Sequence, residues 1–181
     1  MRDPIERLLD EHRTIMAQVE PLRRALRDLV KRGDAALPDA LPALEQVGRM
    51  MGGELLRHAK KEDEALFPAL EQVFGGGGGP TAVMRQEHRD IHARAELFRR
   101  TLHELNEVEH PAIVAGGAQL RSLAGAGASA AELRATGNQI VRLLDLHFAK
   151  EEDILFPMAR DMLSAEALEQ VARKMEEIET G

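Results

Sequence analysis

The sequence predicts an all-α protein: an antiparallel up-down four-helix bundle with an additional C-terminal helix. Three observations carry that expectation. Helix formers dominate the 181 residues, tyrosine and tryptophan are absent, and aromatics make up only 3%; a sheet protein would want more aromatic and β-branched side chains. Apolar residues recur at helical spacing in long segments punctuated by glycine and proline. The chain also states one pattern twice. His58-Ala-Lys-Lys-Glu62 leads to Phe67-Pro68, and His147-Phe-Ala-Lys-Glu151 leads to Phe156-Pro157, with Asp10-Glu11-His12-Arg13 and Gln86-Glu87-His88-Arg89 upstream of the two copies.

The first helix starts sharply. Asp3-Pro4-Ile5-Glu6 reads as a capping box with proline at the first helical position. Ile5, Leu8, Leu9, Ile15, Met16 and Val19 follow helical spacing, Pro21 should kink the helix by removing a donor and crowding the Ala17 carbonyl, and Gly33 should stop it. The second helix is expected to begin between Asp39 and Pro42 and to run to about Phe67. Gly52-Gly53 inside it costs about 1 kcal/mol per glycine relative to alanine. Gly75 to Gly79 is a linker. The third helix should run from about Thr81 to Glu109, followed by a weakly patterned Ala/Gly-rich stretch over Pro111 to Ala128. Ser129-Ala-Ala-Glu132 reads as the capping box of a fourth helix ending near Phe156. Ser164 can cap a last helix with Leu168, Val171, Met175 and Ile178 on one face. The organisation is therefore one domain over 1–181: pseudo-repeats 1–74 and 80–163, a Gly-rich linker 75–79 and a C-terminal helix over about 165–179. His12 precedes His58 by 46 residues and His88 precedes His147 by 59; the difference fits the weak segment before Ser129 and spares the histidine turns.

Composition narrows the function. The net charge of −7, without a basic stripe, disfavours nucleic-acid binding. No apolar run is long enough to span a bilayer and no signal-peptide pattern opens the chain, so a cytoplasmic location is expected and a membrane partner is not. With no cysteine there is neither a disulfide framework nor a thiolate metal site.

An imidazole and a carboxylate four residues apart project from one face of a helix, one turn apart, which suits two ligands of one metal site. Short links make successive helices antiparallel, so the start of the first, end of the second, start of the third and end of the fourth share one end of the bundle. From that end His12 lies 8 residues beyond Pro4, His58 9 from Phe67, His88 7 from Thr81 and His147 9 from Phe156. At 1.5 Å per residue these depths are all about 10–14 Å. Glu62 and Glu151 sit one turn nearer the shared end. His92 lies one turn beyond His88 on its helix face and is read as a further ligand; Met16 holds the matching place in the first copy. Four imidazoles at one depth with two buried carboxylates would be expensive without a cation. Glu54, one turn from His58, reads equally as a support of that histidine or as an ion-pair partner of Arg57 or Lys61. His103 lies too far along its helix to join, and His110 reads as a surface residue. This spacing suits iron, manganese or zinc alike.

The order H…HxxxE…H…HxxxE, carried by His12, His58/Glu62, His88 and His147/Glu151, resembles the hemerythrin-like HHE cation-binding domain family over roughly Pro4 to Pro157. The resemblance implies a four-helix bundle holding two non-haem iron ions, bridged by carboxylates and by an oxo or hydroxo group. It implies the metal ligands His12, His58, Glu62, His88, His92, His147 and Glu151, since His88-Arg-Asp-Ile-His92 matches the H-x3-H of blood-type and bacterial hemerythrins. Those proteins carry an aspartate five residues after the fourth-helix histidine; here Glu151 comes four after. Counting ligands on that pattern, one ion takes His88, His92 and His147 and is full. The other takes His12 and His58 and keeps one open position for O2, peroxide or NO. Leu8, Leu9, Leu55, Leu66, Leu144 and Phe148 are the apolar neighbours expected to keep it dry. The expected function is that of a di-iron protein binding such small ligands as sensor, carrier or scavenger; the alternatives are a peroxidase- or catalase-like oxidoreductase and an iron-storage protein.

Overall fold

In the computed structural model, residues 2–104 and 130–180 are described; they are helical almost throughout and contain no strand. Helix α1 spans Pro4–Arg32. It starts where expected because an Asp3 carboxylate oxygen accepts from the Ile5 amide at 2.8 Å and Pro4 stands in the first turn. It passes Pro21 without an interruption and stops at Gly33, whose φ of 57° favours glycine. A 3₁₀ turn, Gly33–Ala36, leads into the second rod, which begins and ends further out than the sequence suggested. That rod comprises α2 (Leu37–Gly52), α3 (Glu54–Lys61), a π-helical turn (Glu62–Leu66) and α4 (Phe67–Phe74). Gly53 is where the costly glycine pair breaks it. After the glycine linker, α5 spans Pro80–Glu104. The fourth rod is α6 (Ala130–Lys150), a second π turn (Glu151–Leu155) and α7 (Phe156–Met162), and the chain closes with α8 (Ala165–Thr180), whose Ala167 amide donates to the Ser164 hydroxyl oxygen at 3.2 Å. The expected end of the third helix near Glu109, the segment Pro111 to Ala128, the capping Ser129 and His110 lie outside the described residues.

The two π turns both lead directly into the repeated Phe-Pro. Each begins at the glutamate of an HxxxE pair, and the Phe67 and Phe156 amides donate to the Glu62 and Glu151 carbonyls, five residues back. Continued in that register, the next donor would be the amide of Pro68, which does not exist. The Asp63 carbonyl left over accepts instead from Arg85 Nη1 at 2.8 Å. Isolated π turns recur where helices carry functional side chains, and here both sit at matched places in the duplication.

Helix α1 packs against α2 and α6, α5 packs against the same two, and α8 lies across α1, α3 and the first π turn. Gly137 lets α6 approach α1 closely, since a Cβ there would stand 2.9 Å from Leu26. The apolar interior is divided in two. One cluster runs from Ile15 and Leu55 through Ile91 and Phe98 to Leu144 and Phe148; the other joins Leu8, Leu66, Met84 and Leu155 with Ile5, Phe67 and Phe156. Each of the four histidines falls, along its own rod, between a member of the first cluster and a member of the second. Phe98 is fully buried in the larger cluster, and its replacement by alanine is expected to lower stability by about 3–5 kcal/mol while leaving metal content unchanged. Chemical denaturation and elemental analysis of the same sample check both halves. No helix among the described residues is long and apolar enough to cross a membrane.

Candidate metal centre

The layer between the two apolar clusters is polar and buried. His12, His58, His88, His147, Glu62 and Glu151 are all buried, the two glutamates completely. They form two groups that share their carboxylates: His12, His58, Glu62 and Glu151 in one, and Glu62, His88, His147 and Glu151 in the other, with donor atoms of each group within 4.8 Å of one another. The Nε2 atoms face inward. His12 Nε2 lies 3.0 Å from His58 Nε2 and 3.2 Å from Glu151, His58 Nε2 3.5 Å from Glu62, His88 Nε2 3.2 Å from Glu62, and His147 Nε2 3.2 Å from Glu151. Two ligand atoms at right angles, each about 2.1 Å from an ion, stand about 3 Å apart. Short as these approaches are, neither carboxylate oxygen of Glu62 or Glu151 makes a well-formed hydrogen bond. Four buried, unsatisfied carboxylate oxygens facing four imidazole nitrogens form a donor set that fits cations and little else.

The outer nitrogens explain why the rings point this way. His12 Nδ1 lies 2.6 Å from Glu152, His58 Nδ1 3.1 Å from Glu11, His88 Nδ1 3.1 Å from Asp63, and His147 Nδ1 3.0 Å from Glu87. An ionised carboxylate only accepts, so each Nδ1 donates, which turns Nε2 inward as the atom a cation would take. These four carboxylates are the residues that spacing analysis passed over. The signal for them was present: each upstream histidine follows a glutamate (Glu11, Glu87), and each HxxxE glutamate is followed by an acid (Asp63, Glu152). Glu152 serves His12, 140 residues away, rather than the histidine of its own helix. Glu54 takes neither expected role and accepts from Gln18.

Electrostatics show the strain of this set in the protein alone. Burial pushes the Glu151 carboxyl up to about 7, with the Glu62 charge adding to it, and burial raises Glu62 as well. Burial acts to lower His88, but Asp63, Glu62 and Glu151 outweigh it and hold the ring up to about 10. Burial and the neighbouring His88 charge press His147 down to about 3. Glu11 is held at about 2 against its burial by hydrogen bonds from His58 and Lys61. Aromatic rings close the site: Phe148 stacks on His12 with centroids 3.9 Å apart, and Phe67 stacks on His88 at 5.7 Å. Of the expected apolar neighbours, Leu8, Leu55, Leu66, Leu144 and Phe148 are buried, and Leu9 is partly buried.

His92 departs from the expectation. It belongs to neither group, and its Nε2 is buried without a hydrogen-bond partner. It lines a separate cavity of about 220 Å³ with Met51, Gly52, Leu55, Ala95 and Arg99. The donor atoms of both groups come from the histidines and from the glutamates one turn after His58 and His147. A residue one turn beyond His88 stands about 5 Å further along its helix.

A helical chain with two HxxxE pairs, two partner histidines and a buried, carboxylate-sharing donor set has the make-up of a cation-binding helical domain. The model of the Hemerythrin HHE cation binding domain matches it over residues 3–109 and again over 101–180, and the chain belongs to that family. It is also similar to the iron-sulfur cluster repair protein YtfE of Citrobacter koseri, 29% identical over 133 residues, and to that of Escherichia coli O81, 30% identical over 134 residues. Each alignment takes in 72% of this chain and 53% of the relative, so the chain spans about half the length of the curated relatives it matches.

Proposed function

We propose that the protein is a non-haem di-iron protein whose metal positions are His12/His58 and His88/His147, both sharing Glu62 and Glu151. The single observation that carries this reading is the pair of interlocked donor groups with orphaned carboxylate oxygens. The ring of contacts from α1 to α2, α5, α6 and back supports an antiparallel up-down four-helix bundle in one domain, with 1–74 and 80–163 as its two halves. Iron in these positions would supply redox-active, Lewis-acidic centres able to bind O2, peroxide or NO. Without His92, each position draws on two imidazoles and a share of two carboxylates, which leaves room for small ligands on both. The protein's own part is to orient the imidazoles through their Nδ1 partners and to exclude water with the Phe148 and Phe67 rings. The relatives' name, together with the family, supports a scavenging role linked to damage of iron–sulfur clusters.

The test is an anaerobic titration of the iron(II)-loaded protein with NO, O2 and peroxide, followed by absorption. The reading predicts new bands that saturate at a fixed ratio of NO to protein, and peroxide lost only in proportion to protein. Sustained catalytic peroxide turnover would move it to the oxidoreductase class; an unchanged spectrum with all three would reject it. Glu87→Gln, which removes charge from the His147 support, is expected to weaken one of the two ions by about 10–100-fold in chelator competition.

A further inference from the structure

The two halves of the centre match in their ligands but not in what stands behind them. On the His58 side Glu11 Oε2 meets His58 Nδ1 at 3.1 Å, and its Oε1 accepts from Lys61 Nζ at 2.7 Å and from Arg7 Nε at 3.3 Å. Lys61 is only 3% exposed. It is covered by α8, whose Val171, Ala172, Met175 and Ile178 are buried. From the end of that helix Glu179 pairs with Lys61 and accepts from Arg7 Nη2 at 2.9 Å. Two cations and two carboxylates thus form a charge-balanced set behind the His58 ring, whose outer member, Glu179, is 44% exposed. The duplicated position on the other side is Lys150, which pairs with Glu87 behind His147 and is 43% exposed. That lysine is open to solvent, which screens its pair, whereas Lys61 is buried where α8 packs on α1, α3 and the first π turn. We propose that Glu179 is a positioning residue for the His12/His58 metal position, acting through Lys61 and Glu11 on His58, so that the C-terminal helix makes two otherwise matched positions unequal. The inference rests on the two-position reading above.

The physical reason is charge balance in a half-dry place. Without the Glu179 carboxylate, Arg7 and Lys61 share Glu11 alone. The buried ammonium then competes with His58 for the Glu11 charge, and a net positive charge remains behind a cation site. An imidazole whose Nδ1 partner is drawn away is a weaker and less firmly held ligand. The exposed charges at Glu177 and Lys174, which pair with each other on the same helix, have no such path.

The experiment is competition between a chelator and the protein for iron(II), under anaerobic conditions, with the full chain. Wild type should hold two ions. Glu179→Gln should weaken one of them about tenfold, the low end for an outer-layer change, and leave the other unchanged. Glu179→Asp should keep near wild-type affinity, and Glu177→Gln should change neither ion. In a His58→Ala background, which retains the other position, Glu179→Gln should add nothing. Circular dichroism of every variant checks that the helices persist. Two ions unaffected by Glu179→Gln, two weakened equally, or a Glu179→Asp loss as large as that of Gln would each overturn the proposal. Wild type binding fewer than two irons would overturn the di-iron reading itself, and would show before any variant is made.

Discussion

Replacing Glu62 with alanine is expected to remove both metal ions, whereas His58→Ala removes one. Glu62 and Glu151 belong to both donor groups, and each histidine belongs to one. The loss of a shared carboxylate takes a ligand from both positions and leaves Glu151 as the sole negative charge between four imidazoles. A lost histidine leaves the opposite group whole. Elemental analysis of purified variants should therefore read about two, one and zero irons per chain for wild type, His58→Ala and Glu62→Ala. His92→Ala should keep two, because its ring faces a different cavity. Equal losses in His58→Ala and Glu62→Ala would mean that the two groups are a single site.

Removing the metal should destabilise the fold strongly, and more so as pH rises. A ligand present at about a thousand times its Kd adds about 4 kcal/mol per site, and a chain of this size shifts by about 2–4 °C per kcal/mol, so the stripped protein should melt roughly 15–30 °C lower. The pH arm follows from the shifts. His88 in the metal-free fold is held up to about 10 from an ordinary 6.5. Its protonation therefore contributes stability that is complete below 6.5 and disappears as pH rises through 10. Glu151, raised to about 7 from 4.5, has the same sign, and its contribution is gone above 7. His147, pressed down to about 3, has the opposite sign, but its contribution is already complete above 6.5. Between pH 7 and 10 the metal-free protein should lose melting temperature steadily. The iron-loaded protein should not share this loss, because a metal-bound His88 carries no extra proton. Thermal unfolding of both forms across that range checks the sign; parallel curves would contradict it.

Much of this was legible in the sequence, for a reason. Helical spacing converts position into depth, so four histidines on four rods could be placed at one level, with two glutamates a turn away, by counting from Pro4, Phe67, Thr81 and Phe156 alone. The caps at Asp3 and Ser164 were readable because a side-chain oxygen next to a free amide is a local event. What escaped was non-local. His12 is supported by Glu152, 140 residues away, and the pairing depends on how rods turn against one another, which periodicity within a rod does not specify. The continuation past Phe67-Pro68 was hidden because a proline reads as a helix stop, yet here Arg85 takes the carbonyl that the missing amide leaves free. The second rod outran its expected end for the same reason. His92 stands outside both donor groups, because i+4 spacing gives the face of a helix but not which residues on that face meet the other rods.

Anomalous X-ray diffraction at the iron edge, from crystals of the iron-loaded protein, tests the central claim most directly. The account predicts two peaks per chain, one between the Nε2 atoms of His12 and His58 and one between those of His88 and His147, with the Glu62 and Glu151 carboxylates reaching both. A single peak, or iron held beside His92 or at the surface acids with these four imidazoles still unligated, would contradict it.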